Sequence, residues 1–229
     1  MFIWKISPAI ATGNTVVIKC AESTSLMALK CCELIKEAGI WLRKDRRKCN
    51  SESHGCRQGR IHRVNSHWTN NFEVSASSNL KKVTLELGGK SPDIVFPDAD
   101  IQKAVDWSAW GINMNFGQTC HAGTRIYVHE DVYDEFVAAY TKRMGSLKVG
   151  DNFDENVDQG PQNSKTQFEK ILGYIESGKE EGATISLGGE VAEVENGEGR
   201  GYYIQPTIFT DMKPQMKAPT PCRSLLYNS

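Results

Sequence analysis

At 229 residues with 27 Lys and Arg against 28 Asp and Glu, the chain carries a formal charge of −1, so no global field selects nucleic acid or a membrane surface as partner. Hydrophobic residues make up 39% and the mean hydropathy is −0.44, the balance of a globular chain with apolar material for one domain or two small ones. The longest apolar runs are a few residues, against about 20 needed to cross a bilayer, and the first eight residues lack the basic flank and apolar stretch of a secretory leader, so neither is expected.

Thr15-Val16-Val17-Ile18-Lys19, a β-branched run after the turn Gly13-Asn14, is predicted as a buried strand. Capping residues at 22–25 then lead into Leu26, Leu29, Cys32 and Ile35 at helical spacing, with Gly39 as the stop. Strands are expected at Val83–Leu87 and Ile94–Phe96, and Asp98 is expected to cap a helix carrying Ile101, Ala104, Val105 and Ala109. After a loop at Asn115–Gly123, a strand is expected at Arg125–His129 and a helix at Asp131–Met144. Phe168, Ile171, Leu172 and Ile175 mark another helix, ended by Ser177-Gly178. Late strands are expected at Thr184–Leu187 and Tyr202–Phe209. Alternation of strand and helix predicts an α/β fold built on parallel pairs.

Residues 41–72 break this pattern. They hold eight Lys and Arg but only Asp45 and Glu52, a local charge of +6 that leaves −7 for the remainder, and they show no apolar period of 2 or 3.6. The stretch reads as a foreign insert. Cys49, His54, Cys56, His62 and His67 within it are candidate metal ligands, and its basic residues are candidate phosphate partners. Cys49 and Cys56 lie seven apart, outside the short spacing of common zinc sites, so a solvated loop stands beside that reading. The seven cysteines are odd in number and form no framework, which points to reduced thiols and a cytoplasmic setting.

Three segments can carry chemistry. Phe116-Gly117-Gln118-Thr119-Cys120-His121-Ala122-Gly123 sets a cysteine among small residues and glycines, where backbone can approach a substrate and an amide can face a developing oxyanion. An inert loop cysteine fits the same residues. His121 is not expected to pair with Cys120, because adjacent side chains usually point apart. Leu85-Glu86-Leu87-Gly88-Gly89-Lys90 ends an apolar strand in a carboxylate suited to general-base work, or simply paired with Lys81, Lys82 or Lys90. Lys19 and Glu22, at the carboxyl end of the predicted strand, suit a ribose or form a surface ion pair.

Together the segments resemble the aldehyde dehydrogenase superfamily. The likeness runs through Trp4-Lys5-Ile6, Ala9, Thr12–Lys19, Ala21-Glu22, Leu85–Pro92, Gly117–Cys120, Gln159-Gly160-Pro161-Gln162 and Tyr203–Thr207. It covers residues 1–40 and 76–212, about the middle half of a full-length member, and its two signature segments stand in order 34 residues apart, from 86 to 120. The resemblance implies a partial fold of that family. A Rossmann-like cofactor part would occupy residues 1–87, with a divergent insert at 41–75. An α/β catalytic part would occupy residues 88–229, with a divergent tail at 213–229. The two signature residues would meet across the boundary between these parts.

By the same resemblance Cys120 is the nucleophile and Glu86 the general base for oxidation of a small aldehyde with NAD or NADP, NAD being favoured. Lys19 and Glu22 take the positions that hold the adenosine ribose. No nucleic acid or membrane partner is implied. Uncovered apolar faces imply homo-oligomers or aggregation. The sequence also departs from the family. The Asn-Phe-Pro run with the oxyanion Asn falls ahead of Trp4. Where a Phe-Thr-Gly-Ser loop should receive phosphate, Val64–Phe72 has no glycine. After Lys213, Ala218–Arg223 replaces the expected Glu-Glu-Ile-Phe-Gly-Pro. An inactive fragment that keeps the fold is therefore the second reading. Abrupt loss and return of similarity point to an out-of-frame or wrongly joined coding segment at 41–75, and another after about residue 213.

Overall fold

The structure, a computed structural model, describes residues 2–40, 58–62, 73, 76–77, 80–194, 201–213 and 216. The chain divides into two compact units, Met1–Glu86 and Leu87–Ser229.

In the first unit α1 (Phe2–Ala11) precedes α2 (Ser25–Glu37). Gly39 stops α2 as expected: at φ +81 it closes the helix while its N–H and that of Ile40 donate to the carbonyls of Lys36 and Ile35. Strands β1 (Gln58–His62) and β2 (Lys82–Glu86) pair in parallel, Gln58 opposite Lys82 and His62 opposite Glu86. Two expectations change here. Residues 15–19 are not a buried strand: Val17 is 67% exposed, and no strand pairs with the run among the described residues. A β-branched run becomes a strand only where a neighbour takes its backbone bonds. Residues 58–62, inside the supposedly patternless insert, do form a strand, because β2 supplies that neighbour.

The second unit begins with a βαβ crossover. β3 (Ser91–Val95) and β4 (Gly123–Val128) pair in parallel, joined through α3 (Ile101–Asn113). Helix α4 (Tyr133–Gly145) packs on α3, and Val105, Ala109, Ile112, Phe136 and Met144, each nearly or fully buried, close the core between them. Tyr140 stacks on Phe136 one turn away at 5.4 Å, and burial, then the nearby Asp93, pushes its phenol well above the usual range. The cap of α3 is Asp100, not Asp98. The Ala99 N–H donates to the Phe96 carbonyl and spends Asp98 on a turn, while the Asp100 side chain accepts from the Lys103 N–H.

α5 (Lys165–Glu180) packs Ile171 and Ile175 against Ile204 and Phe209. It does not end at Ser177-Gly178. Gly178 stays helical and lies against the Phe209 ring, and the stop falls at Gly182, φ +83. β5 (Thr184–Leu187) and β6 (Ile208–Thr210) pair antiparallel. Only the end of the predicted 202–209 strand is a ladder. The Gln162 N–H donates to the Tyr202 carbonyl, Ala192 N–H to Tyr203 and Gln205 N–H to Glu190, so loops take the backbone bonds, and Pro206 has no N–H to give.

Among the described residues no helix is long and apolar enough to cross a membrane, and no group of three or more His, Cys, Asp and Glu is arranged to hold a metal. Cys49, His54, Cys56 and His67 lie outside the described residues. Of His62 only the backbone, in β1, is described. Val64–Phe72 and Ala218–Arg223 also lie outside them.

Candidate active site

Cys120 is held by a turn that the backbone enters through a left-handed passage. Asn115 (φ 55, ψ 32), Phe116 (φ 57, ψ 39) and Gly117 (φ 75) occupy this region in succession at the end of α3. Asn and Gly tolerate it, whereas Phe116 is strained there and must be held by its surroundings. The holding bonds are present. Asn115 Nδ2 donates to the Gln118 carbonyl at 3.1 Å, and the Gln118 side-chain oxygen accepts the Asn163 N–H at 3.0 Å. Gln162, 3% exposed, reaches the Phe116 carbonyl through Nε2 at 3.5 Å.

Past this passage, Thr119–Ala122 form a β-turn closed by the Ala122 N–H on the Thr119 carbonyl at 3.3 Å, with Cys120 and His121 at its two central positions. Both side chains are exposed, and Cys120 Sγ lies 3.6 Å from His121 Nδ1. The expectation that they point apart is thus corrected. It holds for strand residues on opposite faces, but central residues of a tight turn project from the same rim.

Two glycines press this turn onto β3. A Cβ at Gly89 would stand 2.8 Å from the Cys120 carbonyl oxygen, and one at Gly123 would stand 2.5 Å from Asp93 Oδ2. Next to Gly89, Lys90 is 7% exposed, and its carbonyl accepts from Arg125 Nε at 3.0 Å and Nη2 at 2.6 Å. Burial, then Lys170 and Arg125, pushes the Lys90 ammonium down to about 7. Burial also raises the Asp93 carboxyl, partly offset by its hydrogen bond with Ser108. An open groove of about 210 Å³ runs beside His121, bounded by Asp93, Trp107, Trp110 and Met114.

The other residues singled out in the sequence lie in the first unit. Glu86 ends β2, half-buried. Lys19 and Glu22 bond each other at 2.7 Å with side chains 75% and 83% exposed. No strand runs up to Lys19, so the pair does not stand at the ligand-binding edge of a sheet. The pair is a Lys donor beside a Glu acceptor in open solvent. Sequence reading missed the left-handed passage, the Gln118 and Gln162 contacts and the buried Lys90. Asn115 shortly before Gly117 was the one available signal, since Asn tolerates left-handed backbone.

The family model of the "Aldehyde dehydrogenase family" matches residues 1–40 and 69–220. It returns seven residues earlier, and runs eight residues further, than the 76–212 legible from motifs; 41–68 is unmatched. Aldehyde dehydrogenase of Agaricus bisporus is 45% identical over 232 residues, covering 95% of this chain and 44% of that protein. The Aspergillus niger aldehyde dehydrogenase is 48% identical over 226 residues, again 95% and 44%. The NAD+ complex of aldehyde dehydrogenase from Bacillus cereus superposes with a TM-score of 0.83 at 37% identity, covering 93% of this chain and 44% of that one. The chain spans less than half the length of these relatives. Its fold is a partial α/β aldehyde dehydrogenase fold, and the chain belongs to the aldehyde dehydrogenase family.

Proposed function

We propose that this chain carries the cysteine and carboxylate chemistry by which an aldehyde is oxidised to a carboxylic acid. The supporting observation is the Cys120 turn. A strained backbone, the glycines at 89 and 123 and hydrogen bonds from the 162–163 segment hold the backbone that carries an exposed thiol. The Cys120 sulfur forms the bond to the carbonyl carbon. After the carbon is oxidised, the resulting thioester is cleaved by a water whose proton Glu86 accepts. Beside the turn runs a groove lined by Trp107, Trp110 and Met114 together with Asp93, Ser108 and His121.

NAD or NADP, with NAD favoured, supplies the two-electron acceptor when bound. The donor set at Lys19 and Glu22 fits a ribose: the carboxylate accepts from a hydroxyl and the ammonium donates, and both are exposed. These residues would hold the adenosine ribose. Residues 1–87 are the cofactor part and 88–229 the catalytic part on this reading. The cytoplasm is its setting, in keeping with free thiols at Cys20, Cys31, Cys32 and Cys120. Leu26 at 82% and Met27 at 72% exposure support association through uncovered apolar faces.

The test is NADH absorbance with a small aldehyde, comparing wild type, Cys120→Ala and Glu86→Gln. Turnover by wild type with loss in both variants supports the proposal. Equal background rates in all three overturn it. That result selects the second reading, an inactive fragment keeping the fold, which the unmatched 41–68 segment favours.

A further inference from the structure

We infer that His121 takes the thiol proton of Cys120 and so makes its sulfur nucleophilic. The inference rests on the reading of Cys120 as the nucleophile. It goes further by assigning the partner that generates the thiolate.

The geometry is that of the Thr119–Ala122 turn. Its two central side chains share a rim, and Sγ and Nδ1 stand 3.6 Å apart, within the range of a hydrogen bond to sulfur. The turn cannot relax easily. Residues 115–117 enter it through left-handed backbone, and Gly89 packs on the Cys120 carbonyl. The backbone that carries both side chains is therefore held in place.

Ionisable groups on the packed elements stand nearby. Asp93 on β3 lines the same groove as His121. Lys90 follows Gly89, and the Arg125 guanidinium is committed to the Lys90 carbonyl. From α3 the groove receives only Trp107, Ser108, Trp110 and Gly111, none of them charged.

The step balances without another reactant. The S–H proton passes to Nδ1, leaving a thiolate and an imidazolium. The sulfur lone pair then forms the C–S bond as the carbonyl π pair moves onto oxygen. Cleavage of the thioester returns the sulfur as thiolate to the same imidazolium.

Alkylation tests this without cofactor, aldehyde or Glu86. The full chain is treated with iodoacetamide from pH 5.5 to 9, and the rate at Cys120 is read by peptide mass spectrometry in wild type, His121→Ala and His121→Gln. Wild-type Cys120 is expected to react about tenfold faster than either variant near pH 6.5, with the curves converging at high pH where the thiol ionises unaided. His121→Gln keeps a polar side chain but cannot take the proton, so it follows His121→Ala. Rates at Cys20, Cys31 and Cys32, in the first unit, should be the same in all three proteins and serve as the internal reference for the reagent. Superimposed Cys120 profiles in the three proteins overturn the inference. Absence of NADH formation, by contrast, overturns the proposed oxidation and leaves the alkylation result standing.

Discussion

Gly89 lies against the carbonyl of Cys120, so closely that a single added carbon would stand 2.8 Å from the oxygen. The contact joins the two signature segments of the sequence, Leu85–Pro92 and Gly117–Cys120. It gives one glycine of the first a mechanical role: backbone of the second rests where a side chain would be.

Gly89→Ala should therefore displace the Cys120 turn, since the obstacle is backbone and cannot rotate away. A destabilisation of about 1–3 kcal/mol is expected in denaturant unfolding, with a fall in turnover of up to about 100-fold, as shifts near 1 Å can cause. Gly88→Ala is the control. Its added carbon meets nothing within 4 Å, so it should change stability little.

Lys90 predicts a pH dependence. Its ammonium falls from 10.5 to about 7 in the folded chain. Between those values the unfolded chain holds a proton that the folded chain has released, so stability rises with pH across the window. The slope contributed is up to about 1.4 kcal/mol per pH unit. Below about 7 the cost of the buried charge is present in full. Unfolding of wild type and Lys90→Met at pH 7 and pH 9 checks this: the variant should be the more stable at pH 7, and the difference should shrink at pH 9.

Two glycines in α5 should respond in opposite senses to the same substitution. A Cβ at Gly173 meets nothing within 4 Å, so Gly173→Ala should stabilise by about 0.5–1 kcal/mol through backbone entropy. A Cβ at Gly178 would stand 2.9 Å from the Phe209 ring, so Gly178→Ala should destabilise by about 1–3 kcal/mol despite its better helix propensity. Thermal melts of the two variants settle the signs. Adding Phe209→Leu should recover part of the loss in Gly178→Ala.

What the sequence revealed was what local periodicity records. β2, α3, β4 and α4 stand within a residue or two of expectation, because apolar positions such as Val105, Ala109, Phe136 and Tyr140 recur at the helical interval and face one core. Residues 15–19 misled because strand formation depends on a partner that composition does not reveal. Gly178 misled because a glycine that ends a helix and one that admits a phenyl ring look the same in sequence. At the site, glycines and a cysteine were visible as types. The left-handed backbone at Asn115 and Phe116, the bonds from Gln118 and Gln162, and the Cys120–His121 contact arise from long-range packing and the shape of one turn. No period encodes them.

The proposed oxidation requires Cys120 to carry the substrate carbon. Incubation of the full chain with propionaldehyde and NAD, followed by acid quench and peptide mass spectrometry, reads this directly. A propionyl group is predicted on the Cys120 peptide. It should accumulate in Glu86→Gln, where cleavage is slowed, and be missing from Cys120→Ala along with NADH. NADH formed equally by Cys120→Ala, or a Cys120 peptide that stays unmodified in Glu86→Gln, would contradict it.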